Sequence, residues 1–121
     1  MKWFWRYLVV SCFFAAPALA EIRFVSGEVE FIRTHDGDAH PTWRPPNFWF
    51  SLKGVTKAGS CPTWYSDTLR FVSKDSAAYS MLLSAYMAGK PVAVAYDDSL
   101  VFNQHWCIAR YITLGNPPPL K

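Results

Sequence analysis

The sequence predicts a mainly β domain: five short strands closing around one core, with a single helix between the third and the fourth. Three observations carry this. Runs of alternating apolar and polar residues recur at short intervals, each bounded by Gly, Pro, Asn or Asp. One segment, between Asp75 and Gly89, spaces its apolar residues as a helix does and carries a capping residue at each end. The run that follows it, "PVAVAY", is almost continuously apolar and rich in β-branched residues, as a buried strand is.

The first strand is expected over Ile22 to Ile32, where Gly27 separates "IRFVS" from "EVEFI" and marks a bulge or sharp bend. A polar loop with three prolines, "RTHDGDAHPTWRPPN", leads to the second strand, "FWFSLKGV". There Phe48, Phe50 and Leu52 share one face, with Trp49, Ser51 and Lys53 on the other. The loop "TKAGSCPTWYSD" returns the chain to the third strand, "TLRFVS", whose Leu69 and Phe71 join the same core.

The helix should start with Asp75 or Ser76 as its N-cap, because a short polar side chain there can accept from a free helical N–H. It should stop at Gly89, which takes positive φ without a Cβ clash. Tyr79, Leu82, Leu83 and Tyr86 form the expected core stripe. Pro91 opens the fourth strand, "DDSLVFNQ" is read as a turn, "HWCIARYITL" as the fifth strand, and residues 115–121 as an extended Pro-rich tail. Five strands must pair or cover their edges, and an OB-like Greek-key barrel with the helix plugging one end does so. An open antiparallel sheet with the helix across one face satisfies the same order.

Residues 1–20 read as an export signal, leaving residues 21–121 as one domain. Lys2 and Arg6 precede an apolar run from Tyr7 to Ala16, then the helix-breaking Pro17 and the small-x-small site Ala18-Leu19-Ala20, so cleavage after Ala20 is expected. The run falls short of the ~20 residues a bilayer span needs, so no stable membrane span is expected. A lipoprotein signal ending at Cys12 is the alternative, and it would leave Phe13 to Ala20 as an exposed apolar tail. Removing the signal takes two of the twelve basic residues and none of the nine acids, so the net charge falls from +3 to +1. No concentrated basic face is visible, which argues against nucleic acid as a partner.

Cleavage also leaves two cysteines, Cys61 and Cys107, in an oxidising compartment. They allow one pairing, and no Cys or His pair sits at ligand spacing around either, which disfavours a metal ligand or reactive thiol.

Catalysis finds little support: His35, His40 and His105 belong to no nucleophile or metal motif. "HDGDAH" offers oxygen and imidazole ligands, yet Asp, Gly and His also favour a plain polar turn, so neither metal nor cofactor is expected. Asp97 and Asp98 are read as the end of a strand. The aromatic residues are more informative. Trp43 and Trp64 fall in loops, Trp49 lies opposite the core face, and Trp106 adjoins a cysteine. Flat rings with a polar edge suit stacking on sugars or anchoring a protein, so "PTWRPPNFWF" and "CPTWYSD" are the candidate contact segments. Trp43, Arg44, Trp64, Tyr65 and Trp106 are the candidate ligand-binding residues, with Arg44 able to clamp a carboxylate. Loop tryptophans also fold back to cover a small core, which competes with that reading.

"GEVEFI", "FWFSLKG", a Cys before the third strand, "SAAYSMLLSAYMAGKPVAVAYDDS" and "WCIARYITL" resemble, in order and spacing, a group of small exported proteobacterial proteins of unassigned function. More distantly, the strand order resembles the pentamer-forming B subunits of bacterial toxins of the subtilase cytotoxin and typhoid toxin kind, whose OB-fold subunits bind host glycans. The resemblance covers most of residues 22–114. It implies an OB-like fold and a glycan-binding role, and none of the toxins' contact residues carries over to an individual position here. In those subunits the bridged cysteines lie on neighbouring strands, whereas Cys61 falls in a loop. The expected function is therefore a secreted or periplasmic, non-enzymatic module that binds a glycan or a protein partner, with room for a homo-oligomer built on unpaired barrel edges. An envelope-associated structural or stress-related protein without a dedicated ligand is the alternative.

Overall fold

The structure is a computed structural model, and it describes residues 22–63 and 68–115. The expected signal (residues 1–20), Trp64, Tyr65 and most of the Pro-rich tail lie outside the described residues. The strands are β1 (Arg23–Thr34), β2 (Phe48–Leu52), β3 (Phe71–Ser73), β4 (Pro91–Phe102) and β5 (Trp106–Leu114), with one helix, α1 (Ser76–Ala88), between β3 and β4. They form one sheet that closes on itself in the order β1-β2-β3-β5-β4. All pairings are antiparallel except β3 with β5, which run parallel. Among the described residues every strand has two neighbours in the ring.

The interior is filled by the inward side of the alternation. Val29, Phe50, Leu52, Leu69, Phe71, Val92 and Val94 belong to one buried cluster, sealed by Ala78, Leu82 and Ala85 of the helix. That helical stripe differs from the expected one. Two alanines flanking Leu82 let the helix backbone approach the sheet closely, and this turns Leu83 (43 % exposed), Tyr86 (49 %) and Met87 (76 %) outward. The caps are as expected: Asp75 Oδ1 accepts from Ala77 N at 3.0 Å, and Gly89 is left-handed with φ 63°.

Other departures have local causes. β1 runs through Gly27 without a break, and its irregularity falls between Val29 and Phe31. Gly27 serves packing instead, since a Cβ there would sit 3.3 Å from Leu52 Cβ. "DDSLVF" is not a turn: β4 continues through it to Phe102, with a register shift between Tyr96 and Val101. Asp97 is buried there, its Oδ1 accepting from Ser99 N at 2.9 Å and Ser99 Oγ at 2.6 Å. Asp98 reaches outward, accepting from Ser60 N at 3.0 Å and pairing with Arg23 at 3.4 Å. Asp98 thus latches the irregular strand to the loop that carries Cys61.

Cys61 and Cys107 are disulfide-bonded, with Cα atoms 5.7 Å apart. Among the described residues no helix is long and apolar enough to cross a membrane.

Candidate functional site

Alternation along β2 that buries Phe48, Phe50 and Leu52 inside the ring puts Trp49 on its outer surface, opposite Arg33 of β1 and Val72 of β3. A second apolar cluster forms there, outside the core. Trp49, Val72 and Trp106 are its buried members, and Trp43, Phe102 and Ile108 pack around them.

Two loops deliver the other indoles. In the β1–β2 loop, Pro41–Trp43 forms a 3-10 turn. His40 Nδ1 accepts from Thr42 N at 3.1 Å, and the His40 ring stacks on Trp43 with centroids 4.4 Å apart. The β4–β5 connection is a tight turn in which Asn103 and Gln104 take positive φ, at 49° and 61°, and it returns the chain directly into Trp106. Trp43, Trp49 and Trp106 then meet edge to face, with centroids 6.3, 6.1 and 5.7 Å apart. The electron-poor edge of one ring meets the electron-rich face of the next, worth about 0.5–1.5 kcal/mol per pair beyond area burial.

Two arginines and a histidine border this cluster. Arg33 and Arg70 each place Cζ 5.3 Å from the centroid of the Phe31 ring, and His35 lies 5.1 Å from both Trp43 and Trp49. Arg33, His35, Trp43, Trp49, Arg70 and Trp106 line a niche of about 110 Å³. His35 also lines a larger, mainly apolar groove of about 400 Å³ between the loop at Pro45 and Pro46 and the start of α1, where Phe48 and Tyr79 form part of the wall. The groove and the niche thus share one wall residue, His35.

Burial and the like charge of Arg33 hold the Arg70 guanidinium below its ordinary pKa, burial being the larger cause. Its Nε, and the indole N–H groups of Trp43 and Trp49, are buried without a hydrogen-bond partner among the described residues. All three of these unpartnered groups are donors.

Of the residues expected from sequence, the fold brings Trp43 and Trp106 together, while Trp64 and Tyr65 lie outside the described residues. Arg44 is exposed and does not line the niche; its carbonyl accepts from Asn47 N at 3.0 Å. Trp49 and Trp106 are each only 3 % exposed, so they serve as walls, not as open platforms. Sequence reasoning missed Arg33 and Arg70, and read His35 only as part of a polar turn. Parity along the strands would have found the arginines, since Arg33 lies two residues after Phe31 and Arg70 two before Val72, on the outer surface. "HDGDAH" forms a turn in which Asp36 Oδ1 accepts from the backbone of Asp38 and Ala39, at 2.9 and 2.7 Å. Among the described residues no group of three or more His, Cys, Asp or Glu side chains is placed to hold a metal ion.

Compared with protein-family models, curated proteins and solved structures, the chain matches none.

Proposed function

We propose that this protein is an exported, non-enzymatic binding module with an OB-like fold, and that it takes a carbohydrate across the neighbouring groove and niche. The observation carrying this reading is where the aromatic cluster sits. It occupies the outer surface of β2 and β3 and draws on the β1–β2 and β4–β5 loops through Trp43, Phe102 and Trp106. OB-folds bind oligosaccharides and oligonucleotides on that surface and those loops. The strand order, with a helix between the third and fourth strands, supports the OB-like assignment. A net charge of +1 after loss of the signal favours sugar over nucleic acid. The disulfide fits an oxidising compartment.

Tryptophan fluorescence tests the reading, because the cluster lies at the site. A panel of neutral and acidic oligosaccharides should include ligands that change emission saturably. Trp43→Ala should weaken those ligands by about tenfold or more, as loss of one stacking aromatic does. A flat response across the panel refutes the carbohydrate reading and favours a structural protein whose indoles cover only one another.

A further inference from the structure

Arg33 and Arg70 are two cations over one phenyl ring, and no described carboxylate pairs with either. The ion pairs among the described residues join Arg23 to Asp98 and Lys53 to Glu28. Glu30, one residue from Phe31, is engaged elsewhere: its Oε2 accepts from Ser51 Oγ at 3.3 Å. Burying a guanidinium edge beside a like charge costs free energy, and buried N–H groups left without acceptors cost more. The Arg70 Nε and the indole N–H groups of Trp43 and Trp49 all bear that cost, and all three residues line one niche of about 110 Å³. What relieves it is a group that only accepts, carries negative charge and is flat enough to enter between indole walls.

We propose that the Arg33–Arg70 niche binds a carboxylate, and hence that the ligand of the groove is a uronate-type acidic carbohydrate with its carboxylate on the arginines and its ring against the neighbouring aromatic surface. A planar guanidinium offers paired N–H donors that match a carboxylate fork, and indole N–H groups can complete the remaining lone pairs. His35 lines both niche and groove, so an acid group on the arginines lies next to the groove that would take the sugar body. The carbohydrate part of this inference rests on the function proposed above; the carboxylate part does not.

The test follows the indole N–H signals of Trp43 and Trp49 by 1H–15N NMR at constant ionic strength. The probes are acetate, an oligogalacturonate, and the same oligomer as its uncharged methyl ester. Acetate should shift both signals relative to chloride, and the acidic oligomer should bind at least about tenfold more tightly than its ester. Arg33→Gln and Arg70→Gln should each remove that difference, while Lys90→Gln, the same charge change at the far end of α1, should keep it. Acetate has the further use that it needs no variant to fold. If acetate shifts the indoles and no oligomer binds, the carboxylate site stands and the carbohydrate reading falls. If acid and ester bind equally, or if neither carboxylate probe moves the indoles, the carboxylate site is overturned.

Discussion

Removing the disulfide is the perturbation whose size the structure fixes best. Cys61 and Cys107 are 46 residues apart, so the bond closes a long loop in the unfolded chain. Loop-closure entropy for that separation is about 4 kcal/mol at 25 °C. Set against the ~5–15 kcal/mol of net stability of a small domain, this is a large fraction. Cys61→Ala with Cys107→Ala should therefore lower the unfolding free energy by about 4 kcal/mol and Tm by roughly 15–30 °C. The assay is urea unfolding followed by far-UV circular dichroism, oxidised protein against the double variant. Its slope carries a second signature, because an uncrosslinked unfolded chain expands further and the m-value should rise. Both cysteines are buried, at 8 % and 0 % exposure, so reduced wild type serves as the control that keeps sulfur in place. A loss below about 1 kcal/mol in both forms would refute the cross-link as the staple of this fold.

Leu82 is fully buried where the helix meets the core, so Leu82→Ala should cost about 3–5 kcal/mol in the same urea assay, more than truncation of the exposed Leu83. Asp98 should give stability an acid limb. Its carboxyl is held below the ordinary carboxylate pKa, first by the hydrogen bond from Ser60 N and with help from Arg23. A depressed folded-state pKa adds stability that is complete above the unfolded value near 4 and is lost as pH falls through it toward the folded one. Asp98→Asn should flatten that part of the pH–Tm curve, and an unchanged slope would refute the assignment.

The fold was legible wherever one physical rule acted alone. Asp75 and Gly89 bracket the helix because caps are local chemistry, and the Phe48–Phe50–Leu52 alternation named its own inner face. Rules that compete misled. Tyr86 and Leu83 are the greasier residues of α1, yet close approach favours Ala78 and Ala85, a preference set by the sheet beneath them. Asp97 and Asp98 look like a turn, and Asp97 does bind backbone two residues on, but here that happens inside a bulged strand while Asp98 reaches Ser60 in a distant loop. The candidate niche was half visible. Indoles drew attention by their number, whereas strand parity puts Arg33 and Arg70 on the outer surface but only the pairing of β1 and β3 on either side of β2 brings them to one niche.

The parallel contact between β3 and β5 consists of two residue pairs, Phe71 with Cys107 and Val72 with Ile108. This is the shortest zipper of the circle, and a covalent rivet ends on one of its four teeth. Breathing of the oxidised molecule should therefore be throttled at the place where it would otherwise come easiest. Amide exchange at Val72 and Ile108 should quicken far more on reduction than exchange along β1 and β4, whose six-pair seam lies elsewhere in the circle.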